Sequence, residues 1–228
     1  MWKPTAEEMF VAQGIVLADQ VPACPAMLIH ASPIQNAGLD RALIERCVRA
    51  RNDGLVSKIV INGLKTGVCQ ENNLAYSGME IFLHILHELG VPREDIIVLK
   101  SSFHTKVESQ RFLRLAREYG WSSLVISDQP HKQLRCFLAI IASMDEVGFW
   151  PDVYNLPGPA IPLHLRMKKP VLRGVEPVDG TILDHLVAEF KRIVQYAQEP
   201  EVINGVPKFL RNATIPEMFA YLEHRGKR

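Results

Sequence analysis

Long hydrophobic runs and an excess of either charge are absent from this 228-residue chain. Its apolar stretches fall well short of the roughly 20 residues that a membrane-spanning helix needs. Glu7, Glu8 and Asp19 interrupt the N-terminal segment where a signal peptide would have its apolar core. With 26 Lys and Arg against 25 Asp and Glu, the chain has no long-range attraction to nucleic acid or to a membrane. We therefore expect a cytoplasmic protein that binds neither, in which recognition of an anion is local.

Several motifs of catalysis and cofactor binding are also missing. Cys24, Cys47, Cys69 and Cys136 are scattered and form no Cys-x-x-Cys pair, which predicts reduced thiols and not a metal or disulfide framework. The chain has neither a Gly-x-x-x-x-Gly-Lys-Ser/Thr loop nor a Gly-x-Gly-x-x-Gly fingerprint. It also has no Gly-x-Ser-x-Gly elbow. Nucleophilic catalysis therefore has no sequence support, and no cofactor is expected beyond a nucleotide-like small molecule.

Short apolar runs alternate with longer helical patterns along the first two thirds of the chain. The runs are AMLIH (26–30), KIVIN (58–62), DIIVL (95–99), SLVIS (123–127) and FWPDVYN (149–155). They are continuous and rich in Ile and Val, which is typical of strands buried on both faces. The alternation predicts an α/β protein with a Rossmann-like, doubly wound and mainly parallel sheet of about five strands.

One domain with additions at both ends is the simplest organisation of this pattern. Residues 1–22 are expected to form a helical lead-in and residues 23–156 the Rossmann-like domain. Residues 157–228 are expected to hold a Pro-rich connection and C-terminal helices packed on the same domain. The last of these helices begins with Thr214 and Glu217 at the spacing of a capping box.

Three polar loops follow predicted strands at the edge of the sheet towards which helix N-termini point. They are NGLKTGVCQENN (62–73), SSFHT (101–105) and SDQPHKQLR (127–135). Doubly wound sheets bind ligands outside the carboxyl ends of their strands. The partial positive charge of a helix N-terminus there favours phosphate or carboxylate. The loops therefore predict a small-molecule anion as the partner.

The second loop opens a polar stretch that has two interpretations. Thr105 and Glu108 have the spacing of a capping box, in which each side chain accepts a hydrogen bond from the backbone N–H of the other residue. This structural role would explain two residues. It leaves Ser101, Ser102 and His104 unexplained, and it does not exclude contact with a ligand.

The third loop places basic groups near the start of a helix. His131, Lys132 and Arg135 lie in its first turns, a placement that opposes the helix dipole unless an anion or a carboxylate offsets it. The alternatives are an anion pocket and a solvated helix face paired with Asp128 or Glu146.

Two further patterns can be explained by the fold alone, without a ligand or a metal. In NGLKTG, Gly63 and Gly67 flank Lys65, which indicates a glycine turn with or without a ligand. His84 and His87 have a spacing that metal sites use. The apolar residues between them nevertheless place both on or near the outer face of a core-packing helix, and we predict no metal site.

The segment from Lys58 to Met144 resembles the YdcF/SanA/ElyC-like family, which is catalogued as a domain of unknown function. The features that carry the resemblance are INGL (61–64), Glu80, ELGVPREDI (88–96), SSFHTKVES (101–109) and LVISDQPHKQLRCFL (124–138). They keep the order and spacing of the family pattern. Asn62-Gly63-Leu64 replaces the family's Ser-Gly-Gly, His104 stands where Asn is common, and Lys132 stands where the family has its histidine, with His131 one residue earlier.

This resemblance implies a Rossmann-like fold in which the paired polar loops form the ligand site. Glu108, Thr105 and Arg135 match the family pattern best. Many relatives are attached to the bacterial envelope by an N-terminal membrane segment, and this chain resembles the soluble branch.

The residues and the resemblance together predict a cytoplasmic YdcF-like protein that binds a small phosphorylated or nucleotide-like ligand. It is either a hydrolase or transferase acting on that ligand, or a non-catalytic nucleotide-sensing or partner-binding module. A homodimer is compatible with the sequence. The candidate acids and bases are Glu108, His131 and His104. The candidate ligand-binding residues are Asn62, Gly63, Lys65, Glu80, Ser101, Ser102, Thr105, Ser127, Asp128, Lys132 and Arg135.

Overall fold

A five-stranded, all-parallel sheet forms the centre of the molecule, and it confirms the predicted fold class. The structure is a computed structural model that describes residues 2–30, 37–68, 75–76, 78–167, 180–198, 202–203, 206–207 and 210–227. The strands are β1 (Cys24–Ile29), β2 (Val56–Asn62), β3 (Gly67–Val68), β4 (Ala75–Tyr76), β5 (Ile96–Leu99), β6 (Ser123–Ser127), β7 (Asp152–Asn155), β8 (Arg166–Met167), β9 (Gly180–Thr181), β10 (Val202–Ile203) and β11 (Val206–Pro207). The helices are α1 (Ala6–Leu17), α2 (Ala37–Asn52), α3 (Gly78–Glu88), α4 (Thr105–Tyr119), α5 (Pro130–Val147), α6 (Ile182–Tyr196) and α7 (Ile215–His224).

The strand order of the central sheet is β5-β2-β1-β6-β7. The chain adds β2 and β5 on one side of β1, and then crosses back to add β6 and β7 on the other side. The order therefore reverses between β1 and β6, where Ile29 pairs with Ser127. The remaining short strands form three antiparallel pairs, β3 with β4, β8 with β9, and β10 with β11.

Two hydrophobic clusters cover the two faces of the sheet, because successive side chains of a strand point to opposite faces. Leu28 and Ile126 face a cluster that includes Phe112 and Phe137 of helices α4 and α5. Met27, Ile61 and Val125 face the other cluster, with side chains of α2 and α3. Helices on both faces complete the doubly wound architecture.

The observed strands match the predicted ones with small shifts at the ends. The last predicted strand, residues 149–155, is shorter than expected, because only Asp152–Asn155 forms the strand. Pro151 lacks the backbone N–H that would extend the ladder. The two predicted C-terminal helices are confirmed as α6 and α7, and the capping box of Thr214 and Glu217 is present.

Among the described strands, β7 pairs with β6 alone, and side chains near both ends of the sequence bond to its outer edge. The N–H of Val153 donates to the Tyr221 hydroxyl at 2.6 Å, and the N–H of Asn155 donates to Asp19 Oδ2 at 3.0 Å. Arg225 donates to the Val153 carbonyl at 2.9 Å and holds Asp19 through two hydrogen bonds of 2.7 Å. The segments that follow α1 and α7 are thereby fastened to the outer edge of the sheet.

Gly63 allows the loop after β2 to pass close to the end of β5. A Cβ atom added at this position would lie 2.3 Å from the Leu99 carbonyl oxygen. Gly63→Ala is therefore expected to lower the free energy of unfolding by roughly 1–3 kcal/mol, the usual range for an overpacked site. Urea denaturation at low protein concentration measures this loss. Gly14→Ala is the matched control, because no atom lies within 4 Å of its added Cβ; equal stability of the two variants would contradict the prediction.

Candidate functional site

Polar residues stand at the carboxyl ends of the inner strands. His30 follows β1, Asn62 ends β2, and Ser127 and Asp128 lie at the end of β6; all four are buried. The N–H of His30 donates to the Ser127 carbonyl at 2.9 Å, which continues the pairing of β1 and β6 one residue past β1. Because the strand order reverses between these two strands, this is the point at which doubly wound proteins bind ligands.

A histidine–carboxylate pair occupies this point. His30 Nδ1 lies 2.8 Å from Glu108 Oε2, and both side chains are buried. Among the described residues, His30 Nε2 has no hydrogen-bond partner. A carboxylate acceptor on Nδ1 favours the tautomer that carries its proton there, so that the lone pair of Nε2 stays available. The sequence analysis selected Glu108 but missed His30.

The predicted capping box of Thr105 and Glu108 is wrong. Helix α4 begins at Thr105, so its N-cap is His104, whose side chain makes no cap hydrogen bond to the described residues. The N–H of Glu108 donates to the His104 carbonyl at 3.0 Å. The Glu108 carboxylate turns inward to His30, and the Thr105 hydroxyl accepts from Arg135 Nη1 at 3.0 Å. Both side chains therefore bond to other parts of the fold and do not cap helix α4.

Asn62 and Ser102 join the first two polar loops. Asn62 Nδ2 donates to the Ser102 carbonyl at 2.7 Å, and its Oδ1 accepts from the N–H groups of Ser102 and Leu64 at 3.0 and 3.1 Å. The Ser102 hydroxyl accepts from the N–H of His104 and donates to the His104 carbonyl. Both polar atoms of the Asn62 side chain are therefore hydrogen-bonded within the protein. The role of Asn62 and Ser102 is to hold the two loops together at this edge of the sheet.

Four further candidates, three from these two loops and one from helix α3, lie at the surface. Lys65, Glu80, Ser101 and His104 are exposed. Glu80 accepts from the N–H and the hydroxyl of Thr66 at 2.7 and 2.8 Å, and these hydrogen bonds lower the pKa of its carboxyl. The structure therefore does not bring these four side chains together with His30 and Glu108.

The polar residues after β6 bond to neighbouring elements. The Ser127 hydroxyl donates to the Leu156 carbonyl at 2.6 Å. Asp128 Oδ1 accepts from the N–H of Gln129 at 2.7 Å, and its Oδ2 accepts from the Cys136 thiol at 3.1 Å. Burial and the Asp128 carboxylate raise the pKa of Cys136 well above its ordinary value. The thiol is therefore protonated and unsuited to act as a nucleophile.

A carboxylate from helix α6 offsets the positive charge at the start of α5. Arg135 forms an ion pair with Glu189, which also pairs with Arg192 of its own helix. Burial would raise the pKa of Glu189, but the charges of Arg135, Arg192 and Lys132 outweigh it and hold that pKa at about 2. The solvated helix face is wrong, because His131 and Lys132 are buried, and the carboxylate that pairs with Arg135 is Glu189.

His131 is enclosed beside this ion pair. Its ring lies 6.1 Å from that of His185 between centroids, and neither ring nitrogen has a hydrogen-bond partner among the described residues. Burial, reinforced by the charge of Lys132, lowers the pKa of His131 to about 3. His131 is therefore neutral at physiological pH, and its proton affinity is too low for an efficient base there.

The structure places the other candidate metal ligands apart. His84 and His87 are exposed on α3, as predicted. Within the described ranges, no group of three or more His, Cys, Asp or Glu side chains could hold a metal ion. Cys24, Cys47 and Cys136 are buried free thiols, whereas Cys69 lies outside the described residues.

No helix in the described part of the chain is both long and apolar enough to cross a bilayer.

A small pocket lies at the same edge of the sheet as the histidine–carboxylate pair, but neither His30 nor Glu108 lines it. It is lined by Ile29, Asn62, Leu64, Gly78 and Phe82, at the carboxyl ends of β1 and β2 and the start of α3. Three of these side chains are apolar, and the space between them is about the size of one water molecule.

No family model matches the chain, and no curated protein is significantly similar to it. The resemblance to the YdcF-like family therefore stays a prediction, as do the assigned roles of the site residues.

Proposed function

We propose that this YdcF-like chain binds a small phosphorylated or nucleotide-like ligand at the junction of β1 and β6, and hydrolyses or transfers a group on it by acid–base catalysis. His30 is the base, and Glu108 orients it. One observation carries the proposal: a buried imidazole held by a carboxylate at Nδ1, with Nε2 unpartnered among the described residues, at the point where the strand order reverses.

The chemistry of such a pair is that of an oriented base. Glu108 holds the proton on Nδ1 of His30, and Nε2 accepts the proton of an attacking water or hydroxyl group. The resulting imidazolium is stabilised by the adjacent carboxylate, and Nε2 then delivers the proton to the leaving oxygen. Buried polar nitrogens in proteins are nearly always hydrogen-bonded. Among the described residues, His131 also has unpartnered ring nitrogens, and what distinguishes His30 is the carboxylate at its Nδ1 together with its place at the carboxyl end of β1.

The start of helix α4 is the part of the site that suits an anion. Glu108 lies in the first turn of this helix, so the partial positive charge of its N-terminus lies near the His30–Glu108 pair. Arg135, in contrast, is already paired with Glu189 and bonded to Thr105. In this proposal the backbone N–H groups of α4 bind the phosphate, and Arg135 supports the helix start.

The proposal is tested with ATP, pyrophosphate and p-nitrophenyl phosphate as probes, by measuring phosphate release and product formation. For any probe that is converted, His30→Gln and Glu108→Gln should each lower kcat by about 100-fold or more, the usual share of a positioned general base. His104→Gln is the matched control, because that histidine is exposed at the same helix start, and it should keep wild-type kcat.

Binding is followed in parallel by thermal shift, and circular dichroism checks that each variant folds. If a variant does not fold, the pH dependence of kcat in the wild type still tests the base. In that case kcat should fall as the pH decreases, because a protonated imidazole cannot accept a proton. Stabilisation by a probe that is never converted would point instead to the non-catalytic binding module. Wild-type turnover in folded His30→Gln would remove His30 from the mechanism.

A further inference from the structure

Helix α1 has an apolar surface on both of its sides. Its buried side packs against α5 and α7. Its other side leaves Phe10 and Val11 about half exposed, at 51% and 50%. The exposed positions between residues 10 and 18 are Phe10, Val11, Gly14, Ile15, Leu17 and Ala18. None of them is polar, and a helix that is apolar all round is normally buried all round.

The exposed apolar surface continues from α1 onto α6. The ring of Phe10 meets that of Phe190 edge to face, with the centroids 5.3 Å apart. One and two turns before Phe190, Val187 and Leu183 are each 42% exposed. We define the α1–α6 face as the six exposed side chains of Phe10, Val11, Ile15, Leu17, Leu183 and Val187. Contiguous apolar surface of this kind marks an interaction site.

We propose that the α1–α6 face is covered by the same face of a second copy of this chain, in a reversible two-fold dimer. Each of the six side chains is between 39% and 51% exposed, so a pair of these faces could bury on the order of 1,000 Å², the lower limit for a specific interface. An interface of that size fits a weak dimer formed in the micromolar range. A two-fold arrangement is the commonest one for identical chains, and it requires a surface that complements itself.

The charges around the face favour a second copy over a lipid surface. Exposed Glu7 lies one turn before Phe10 on α1, and exposed Lys191 follows Phe190 on α6. A face flanked by both signs can complement its own two-fold copy. Helices that lie on anionic membranes carry Lys and Arg on their polar side, whereas α1 carries Glu7 and Glu8 and no basic residue.

Sedimentation velocity between about 1 and about 500 µM tests the dimer, since this range spans the expected dissociation constant. The wild type should change from monomer to dimer with increasing concentration. Val11→Glu and Val187→Glu, one in each helix, should each raise the dissociation constant at least about 30-fold, because each places a carboxylate at an apolar contact. Both substitutions are at exposed positions, so the melting temperature should stay within a few degrees of the wild type.

Ile81→Glu is the matched control. Ile81 is an exposed apolar side chain of similar exposure, 37%, on α3, outside the α1–α6 face, and the variant should dimerise like the wild type. A wild type that stays monomeric up to the highest concentration overturns the proposal, as does a dimer that survives both face substitutions. Co-sedimentation of a monomeric wild type with phosphatidylserine vesicles would assign the face to a membrane instead.

Discussion

Glu189→Leu is expected to lower the free energy of unfolding by about 3–5 kcal/mol, because it leaves Arg135 inside the protein without its carboxylate. Arg135 and Glu189 are both largely buried, and Glu189 is the shared partner of Arg135 and Arg192. Leucine has a similar volume, so the loss would come from the unpaired guanidinium and not from a cavity. Urea denaturation at neutral pH measures the change.

Two further variants distinguish a buried ion pair from general disruption of α6. Arg192→Met removes the partner whose side chain is 42% exposed, and it should cost at most about 1 kcal/mol. Arg135→Met combined with Glu189→Leu removes both buried charges, and it should recover much of the stability lost in Glu189→Leu. A double variant as unstable as the single one would show that the loss does not arise from the unpaired charge.

Stability is expected to fall by roughly 1.4 kcal/mol per pH unit as the pH decreases from about 6.5 towards 3, because of His131. In the unfolded chain, this histidine takes up a proton near its ordinary pKa of 6.5, whereas burial holds its folded pKa at about 3. Acid therefore favours the unfolded chain throughout that interval. The contribution is complete above pH 6.5, where both states are neutral. Below about pH 4.5, Glu189 adds to the loss, since its folded pKa is about 2.

Urea denaturation at pH 7.5, 6.0 and 5.0 measures the contribution of His131 to the pH dependence of stability. His131→Leu should flatten the dependence of stability on pH in this range. His84→Leu serves as the control and should preserve it, because the side chain of His84 is exposed to water in the folded state as well. An unchanged slope in His131→Leu would mean that His131 is protonated in the folded protein, and that its burial is less complete than the structure indicates.

The sheet could be predicted because its strands are specified locally. Runs such as KIVIN and SLVIS are apolar on both faces, and this pattern has few solutions other than a strand between two layers of helices. The parallel pairing of the strands followed from their alternation with helices and from the handedness of the crossovers. Only the ends of the strands were less certain, as at Pro151, where a missing N–H shortens the predicted strand.

The histidine–carboxylate pair could not be predicted in the same way, because it joins residues 78 positions apart. The local spacing of Thr105 and Glu108 satisfied a capping rule, and this rule assigned the carboxylate to the helix. In the folded chain, His30 competes for the same carboxylate and binds it in the interior. A polar residue directly after a strand that is buried on both faces was the available indication, and His30 has that position.

The sequence of helix α6 carries an indication of the ion pair of Arg135. Ile182, Leu186, Glu189 and Ile193 share the buried side of the amphipathic helix α6. A glutamate on an apolar face predicts a buried cation opposite it. Which cation it would meet depended on how α6 packs against α5, and local patterns carry no information about that packing.

The side chains that close the outer edge of β7 also protect the protein from joining other molecules strand to strand. An edge strand with free N–H and carbonyl groups is a template for the addition of a foreign strand and so for fibrous aggregation. Here Tyr221 and Arg225 occupy two of those groups on Val153. Both belong to the last turn of α7 or follow it directly, so the protection of this edge depends on that part of the helix staying docked on β7. Partial release of this one helix would therefore expose an edge strand that can pair with a strand of another molecule, while the rest of the sheet is still intact.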